Sequence, residues 1–116
     1  MNTKTEQTVA RILFNYSIKI STAESCTGGL LSSRLTDVAG SSSYIKENFV
    51  TYANEAKIEL LDVSQETLET YGAVSEQCAK EMAEGLYKKT GCDVAISTTG
   101  IAGPTTPEAG KPVGLM

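Results

Sequence analysis

The sequence predicts an α/β domain, a layered α/β/α arrangement around a mixed sheet. Apolar residues recur with helical spacing in some segments and alternate with polar residues in others. Two short β-like runs lead directly into glycine-containing turns, and strands and helices alternate without internal repeats. The length of 116 residues suits one small domain with a single core, so we expect residues 1–116 to form one domain.

Composition and charge narrow the classes of function. Hydrophobic residues make up 41% of the chain and charged residues 21%, which are values of a globular protein. The net charge of −4, without basic clusters, argues against nucleic-acid binding. No apolar run approaches the roughly 20 residues that span a bilayer. The polar start of the chain does not resemble an export signal, so we expect a cytoplasmic protein that binds neither membranes nor nucleic acid.

The absence of histidine restricts the chemistry of any active site. Mechanisms that pair Ser or Cys with His are excluded within this chain, so a base must be Lys, Asp, Glu, Tyr or a group of a partner. The cysteines Cys26, Cys78 and Cys92 are odd in number and lack the spacing of metal ligands. We therefore expect neither a metal site nor a cofactor.

Helical and β patterns follow one another from the first residues. Helical spacing predicts a first helix over residues 5–16, with one apolar face: Val9, Ile12, Leu13 and Tyr16. Ile18 and Ile20 alternate with polar residues, which predicts a short strand. A second helix carries Leu31, Leu35 and Val38 on one face, and Gly40 suits the position that ends it.

The middle of the chain predicts a further strand and three helices. Phe49 and Val50 favour β structure within residues 44–52. A helix over residues 55–61 is expected, with Asn54 as its N-cap and with two side chains directed inward, Ile58 and Leu61.

Cap residues mark the next two helices and the last strand. Ser64 and Gly72 bound a short helix, and Ser75 and Gly91 bound a longer one. Residues 93–99 predict a strand. A proline-rich loop follows, and the apolar residues 113–116 predict the opening of another strand.

The turn that follows the first strand is the strongest candidate site. Ser25, Cys26 and Thr27 place a hydroxyl, a thiol and a second hydroxyl side by side, and Gly28 and Gly29 follow. Such a turn can present a nucleophile, cradle an anion at the start of a helix, or simply cap that helix. The residues alone leave these three interpretations open.

Lys57 is the candidate base for a Ser25 nucleophile. It falls in the first turn of the predicted helix, where the helix dipole disfavours an ammonium group. If Lys57 is also partly buried, its pKa falls toward the range in which a neutral amine acts as a general base. Tyr52, at the end of the preceding strand, can orient or relay the proton. The alternative for Lys57 is a solvated helix residue that pairs with Glu55 or Asp62, and for Tyr52 a surface strand residue.

A second glycine-containing loop follows the predicted last strand. Three hydroxyl residues, Ser97, Thr98 and Thr99, lead into Gly100 and Gly103. Loops that follow parallel strands meet at one edge of an α/β sheet, so this loop and the Ser25 turn can form one crevice. Neither loop has the phosphate-loop or dinucleotide fingerprint, which disfavours ATP hydrolysis and NAD chemistry. The alternative is that both glycines only make a turn.

Several blocks in order resemble one known family, the C-terminal domain of the CinA competence- and damage-inducible proteins. These blocks are TAESCTGG at residues 22–29, FVTY at 49–52, NEAK at 54–57, GAVS at 72–75, GIAGP at 100–104 and KPVG at 111–114. The stand-alone form of that domain is a nicotinamide-nucleotide amidase. The resemblance therefore implies a serine amidohydrolase that converts nicotinamide mononucleotide and water to nicotinate mononucleotide and ammonia.

The resemblance also implies roles for the matched residues. Ser25 is the expected nucleophile, and Tyr52 and Lys57 are expected to activate it. Backbone groups near Cys26, Thr27 or Gly100 are expected to hold the oxyanion. The expected substrate contacts are Cys26, Thr27, Gly28, Gly29, Thr99 and Gly100, with Thr99 the best candidate among the hydroxyls.

The family domain continues beyond the position of Gly114 with further strands, a last helix and a substrate-binding Arg. We therefore expect this sequence to lack those C-terminal elements, and an incomplete sheet makes a homo-oligomer plausible. Two alternatives remain open. One is a catalytically incomplete nucleotide-binding or interaction domain of the same fold, and the other is an amidase that depends on Cys26.

Overall fold

The computed structural model describes residues 3–106 and 108–116. Five helices and three strands, in chain order, make up the regular structure of these residues: α1 (Thr3–Asn15), β1 (Ile20–Glu24), α2 (Leu30–Thr36), β2 (Phe49–Val50), α3 (Asn54–Leu61), α4 (Gln65–Tyr71), α5 (Glu76–Thr90) and β3 (Val94–Thr98). A short 3₁₀ turn over Ser41–Ser43 lies between α2 and β2. None of the described helices is long and apolar enough to cross a membrane.

The three strands form one sheet in the order β2-β1-β3. Ile20 pairs with Val94 and Glu24 with Thr98 between β1 and β3, and Ala23 pairs with Phe49 between β1 and β2. Both pairings are parallel, so the α/β class is confirmed, whereas the mixed pairing that we predicted is not seen among the described strands. Helices connect the strands as crossovers, which is the connection that parallel neighbours require. The carboxyl ends of all three strands therefore lie at one edge.

The central strand is buried on both faces, and an apolar cluster covers each face. Every residue of β1 is buried. One cluster comprises Ala23, Leu61, Val63, Cys78, Met82 and Leu86 and lies under α3 and α5. The other comprises Ala10, Leu13, Ile20, Leu35 and Tyr44 and lies under α1 and α2. This alternation of side chains along β1 produces the predicted helix–sheet–helix layering.

The caps of α4 and α5 are those that the sequence predicts. The Ser64 hydroxyl accepts a hydrogen bond from the N–H of Thr67, and the Ser75 hydroxyl accepts one from the N–H of Cys78. Gly72 and Gly91 end these helices, and both have positive φ angles, 82° and 68°. The predicted boundaries are right here because each cap is a hydrogen bond between residues close in sequence.

Several details of the other helices differ from the prediction. In α1 the buried positions are Glu6, Ala10 and Leu13, whereas Ile12 and Tyr16 are exposed. Glu6 is drawn to the buried side because it forms an ion pair with Arg34 of α2. Long-range packing, which the spacing of apolar residues does not contain, thus decided which face of α1 is buried.

Three predicted boundaries are wrong. The helix α2 ends at Thr36 rather than near Gly40, which instead precedes the 3₁₀ turn. Asn54 is the first residue of α3 and not its cap, a position that Ala53 takes without a side-chain hydrogen bond. Residues 113–116 form no strand, because backbone hydrogen bonds of Gly114 and Leu115 fold them against Ile101.

Candidate active site

Ser25 lies directly after β1, at the edge where the parallel strands end. Its side chain is 8% exposed. Its backbone N–H donates to the carbonyl oxygen of Thr98 at 3.1 Å, which ties the turn to the end of β3. The hydroxyl is therefore held near the carboxyl ends of two strands, where open α/β folds bind their ligands.

Lys57 reaches this hydroxyl from the other side of the sheet edge. Its Nζ lies 3.0 Å from Ser25 Oγ, and it donates to the carbonyl oxygens of Thr51 at 2.7 Å and Tyr52 at 2.9 Å. The Lys57 side chain is completely buried. Of the two residues that we predicted to point inward, Leu61 is buried, whereas Ile58 is 39% exposed. Helical side chains tilt toward the helix N-terminus, which is how Nζ reaches carbonyls that precede α3.

Burial lowers the pKa of Lys57 below its ordinary value of 10.5. Desolvation disfavours the ammonium form, and the opposing contributions from Cys78, Cys26 and Glu108 are smaller. A neutral amine has two N–H bonds and one lone pair. Two backbone carbonyls accept from the N–H bonds, so the lone pair is left for the Ser25 hydroxyl, which is the arrangement that a general base needs.

Tyr52 contacts Lys57 through its backbone and not through its hydroxyl. The carbonyl oxygen accepts the hydrogen bond from Nζ, whereas the side chain is 67% exposed. Among the residues that the structure describes, the phenol oxygen has no hydrogen-bond partner. The aromatic side chain lines the cavity above Ser25 and is placed to contact a bound ligand.

Glu24, which the sequence analysis did not single out, organises the turn that carries Ser25. Its fully buried carboxylate accepts hydrogen bonds from the backbone N–H groups of Leu31 at 2.8 Å and Ser32 at 2.9 Å. It also accepts one from the Thr27 hydroxyl at 2.6 Å. The start of α2 is thus occupied by an anion of the chain itself, so this helix terminus does not serve as the anion cradle that we considered.

Thr27, Gly28 and Gly29, predicted as substrate contacts, belong to the turn and do not line the cavity. The Thr27 hydroxyl is used by Glu24 and by Thr98. Gly28 and Gly29 have φ angles of 60° and 109°, a left-handed conformation that favours glycine. Their role in the structure is to reverse the chain between β1 and α2.

A cavity of about 320 Å³ opens above Ser25 and Lys57. The other predicted site residues that line it are Cys26, Tyr52, Thr99 and Gly100, and it is completed by Asn54, Ala73, Val74 and Glu108. The volume falls in the range of small-molecule sites. The structure therefore brings six of the nine predicted residues into one cavity, and these six include the candidate nucleophile and base.

Thr99 and Gly100 shape the side of the cavity opposite Lys57. The Thr99 hydroxyl donates to the carbonyl oxygen of Ala73 at 2.7 Å. A Cβ atom on Gly100 would lie 2.6 Å from the carbonyl oxygen of Leu115 and 3.2 Å from Cys26 Sγ, so this position requires glycine. The close approach explains the second glycine-containing loop without a phosphate-binding role for it.

Backbone N–H groups are available beside Ser25. Within the described part of the chain, the N–H groups of Cys26 and Thr27 make no hydrogen bond. N–H groups that lie next to a nucleophile in this way can stabilise the oxyanion of a tetrahedral intermediate. The cavity residues offer no histidine, and no group of three or more metal-binding side chains occurs among residues 3–106 and 108–116.

Glu108 is the second residue of the site that sequence reasoning missed. It lies in the proline-rich loop yet lines the cavity, and it contacts Ala73, Val74 and Lys111. No local pattern marks it, because its partners on the α4–α5 linker are more than 30 residues away. For Glu24 a signal did exist: a carboxylate at the end of an apolar strand is costly to bury unless a helix terminus compensates it.

Comparisons with known proteins show which family the chain resembles. A family model described as the CinA C-terminal domain matches residues 2–116. A "CinA-like protein" of Chlorobium limicola is 55% identical over 115 residues, which is 99% of this chain and 27% of that protein. This chain thus spans about a quarter of the length of the curated relatives that it matches.

Solved structures are similar in fold and sequence. A competence/damage inducible protein from Agrobacterium tumefaciens matches with a TM-score of 0.91 at 44% identity, over 96% of this chain and 67% of that one. A competence damage-inducible protein from Klebsiella pneumoniae matches with a TM-score of 0.93 at 40% identity, over 97% and 70% of the two chains.

Proposed function

Because this chain belongs to the CinA C-terminal domain family, we propose that it hydrolyses the carboxamide of nicotinamide mononucleotide with Ser25 as nucleophile and Lys57 as base. One observation carries the proposal: the Nζ of a fully buried lysine lies 3.0 Å from the Ser25 hydroxyl oxygen. The lowered pKa of Lys57 supports the role of base.

In the acylation step one proton moves through Lys57, an ester bond to Ser25 Oγ forms, and the C–N bond of the carboxamide breaks. Lys57 Nζ takes the Ser25 proton as Oγ attacks the carboxamide carbon. The resulting oxyanion is stabilised by the N–H group of Cys26, the residue next to Ser25 that lines the cavity. Lys57 then gives its proton to the amide nitrogen, the C–N bond breaks, and ammonia leaves an acyl ester on Ser25.

Water completes the cycle with the same two residues. Lys57, again neutral, takes a proton from water as the oxygen attacks the ester carbon. The proton passes to Ser25 Oγ as the ester bond breaks, and nicotinate mononucleotide is released. The balance is one amide and one water consumed, with one carboxylic acid and one ammonia formed.

The volume around the site suits a ligand larger than a nicotinamide ring. A second cavity of about 390 Å³ shares Val74 and Thr99 with the cavity above Ser25. It adjoins the first turn of α5 through Ser75 and Glu76. Under this proposal the ring enters the cavity above Ser25, and the ribose and phosphate extend toward the second cavity.

We further propose that the protein acts in the cytoplasm, which agrees with its three free thiols.

The test is ammonia release from nicotinamide mononucleotide, with nicotinate mononucleotide identified by mass spectrometry. Ser25→Ala should lower kcat by roughly 10³-fold or more. Lys57→Met should lower it by about 10²- to 10⁴-fold. The matched controls are Ser33→Ala and Lys46→Met, which change exposed residues of the same types and should leave kcat unchanged. Full turnover by pure Ser25→Ala protein would contradict the mechanism.

The same assay separates the alternatives. Cys26→Ser should keep activity within about tenfold, because the hydrogen bonds of Lys57 Nζ go to Ser25, Thr51 and Tyr52 and not to the thiol. Loss of activity and sensitivity to alkylation would indicate a Cys26-dependent amidase. The assay is repeated on a chimera that adds the part of the Agrobacterium tumefaciens chain that this chain does not cover. Nucleotide binding by calorimetry without turnover in either protein would indicate a noncatalytic domain.

The pH dependence tests the base directly. Activity should rise with pH as Lys57 loses its proton, and the midpoint should lie below 10.5 because burial lowers its pKa. A flat profile between about pH 6 and 9 would argue against Lys57 as the base.

A further inference from the structure

The Glu108 side chain joins separate segments of the chain at the edge of the active-site cavity. Its Oε1 accepts hydrogen bonds from the backbone N–H groups of Ala73 at 2.9 Å and Val74 at 3.3 Å. Its Oε2 accepts one from Lys111 Nζ at 2.6 Å, and the same Nζ donates to the carbonyl oxygen of Tyr71 at 2.6 Å. An ion pair therefore clamps the linker between α4 and α5 to the proline-rich loop.

The clamp reaches the ligand-facing wall through one further hydrogen bond. Ala73, whose N–H is held by Glu108, accepts the hydrogen bond of the Thr99 hydroxyl through its carbonyl. Ala73 and Thr99 both line the cavity. The packing around the ion pair is tight, since a Cβ on Gly72 would lie 2.7 Å from Glu108 Oε2 and 2.8 Å from Lys111 Nζ.

The carboxylate is held in its ionised form. Burial alone would raise the pKa of Glu108, but the hydrogen bonds from Lys111, Val74 and Ala73 lower it below the ordinary value of 4.5. A charge fixed in this way lies at the same cavity as Lys57. The other titratable groups that act on Lys57 are Cys78 of α5 and Cys26 of the turn, so Glu108 is the only carboxylate among them in the described residues.

We propose that Glu108 is a positioning residue of the active site. Held by Lys111, it fixes the wall to which Thr99 belongs and places a permanent negative charge toward Lys57. The inference rests on the proposed amide hydrolysis for its kinetic consequences. Its electrostatic part concerns the folded chain alone and can be measured without turnover.

The decisive experiment compares Glu108→Gln with Lys111→Met. Both variants break the ion pair, but they change the net charge near Lys57 in opposite directions. Glu108→Gln removes a negative charge, so the acid limb of the pH–kcat profile should move to lower pH by about half a unit or more. Lys111→Met removes the positive charge beside the Glu108 carboxylate, so the negative charge that stabilises the Lys57 ammonium grows. The acid limb of the pH–kcat profile should therefore move to higher pH. A purely structural clamp would move both profiles in the same direction or neither.

The positional part is tested with variants that keep both charges. Gly72→Ala forces a Cβ against the ion pair and should raise KM for nicotinamide mononucleotide by roughly tenfold. Its control is Gly40→Ala, at a similar φ of 85° but with no atom within 4 Å of the added Cβ, which should leave KM unchanged. Glu66→Gln, an exposed carboxylate in the first turn of α4, is the charge control for Glu108→Gln and should leave the acid limb in place.

A second measurement separates this inference from the proposed function. The ¹³Cε resonance of Lys57, assigned by its loss in Lys57→Met, is titrated in the chain and in both charge variants. Opposite displacements of the Lys57 titration support the positioning role of Glu108 even if no ammonia is released. Unchanged or parallel displacements would overturn it, whether or not the chain is active.

Discussion

Replacing Glu24 with glutamine is expected to destabilise the domain more than any comparable change of an exposed carboxylate. The Glu24 carboxylate is fully buried and accepts three hydrogen bonds, from the N–H groups of Leu31 and Ser32 and from the Thr27 hydroxyl. No Lys or Arg of the described residues pairs with it. Its negative charge is balanced by the start of α2.

The expected cost follows from these contacts. Glutamine keeps one acceptor oxygen, but its NH₂ group faces a second N–H at the start of α2 and cannot accept a hydrogen bond from it. An unpaired buried N–H of this kind destabilises the folded state by about 1–3 kcal/mol. Loss of the charge at the helix N-terminus adds about 0.3–1 kcal/mol. We therefore expect Glu24→Gln to lower the free energy of unfolding by about 1–4 kcal/mol, which corresponds to a Tm lower by roughly 5–15 °C in a domain of this size.

Urea unfolding followed by far-UV circular dichroism measures this change. The control is Glu59→Gln, an exposed carboxylate in α3, which should stay within about 0.5 kcal/mol of the parent protein. The m-value should be the same in all three proteins, so that midpoints compare stability alone. If Glu24→Gln were as stable as Glu59→Gln, the carboxylate would not organise the turn that carries Ser25.

Two further predictions concern the packing around α5. Gly85→Ala should lower the free energy of unfolding by roughly 3 kcal/mol or more, because its Cβ would lie 1.8 Å from the carbonyl oxygen of Leu61. Gly91→Ala, whose Cβ would have no atom within 4 Å, should lower it by about 1–2 kcal/mol. Equal urea midpoints of the two variants would contradict the clash. Glu81→Gln tests a carboxylate whose pKa is lowered, chiefly by the backbone hydrogen bond from Ser64. Because the folded pKa lies below the ordinary 4.5, the stability that Glu81 contributes is full above that pH and is lost as the pH falls through the folded value. The difference in stability between the parent and Glu81→Gln should therefore shrink in acid, and a difference that grew there would refute the assignment.

Local sequence predicted the parts of the fold that depend on neighbouring residues. Ser75 caps α5 by a bond to an N–H three residues later, and Gly91 ends it with a left-handed residue. The strand, turn and helix around Ser25 follow from the same kind of short-range pattern. Lys57 was correctly placed early in a helix, although Asn54 begins that helix instead of capping it.

The burial of Lys57 and the partners of Glu24 and Glu108 were not predictable in this way. Hydrophobic spacing favoured Ile58 for the inner face of α3. The packing of α3 against α5 and the hydrogen bonds of Lys57 Nζ to Ser25, Thr51 and Tyr52 instead turn Lys57 inward. A buried charge is costly unless specific groups receive it, and here those groups belong to distant parts of the chain. Sequence spacing carries no information on them.

The sequence by itself therefore determined the order of the five helices and three strands, the caps of α4 and α5, the α/β class and the family, and it named Ser25 and Lys57 as candidates. Only the tertiary structure decided that Ser25 Oγ and Lys57 Nζ, 32 residues apart in sequence, lie 3.0 Å from each other, and that Thr27, Gly28 and Gly29 form the turn and do not line the cavity. The physical reason is the distance along the chain over which the deciding interactions act. Caps and periodicity are set by interactions within a few residues, whereas the pKa of a base and the walls of a cavity are set by groups that only folding brings together.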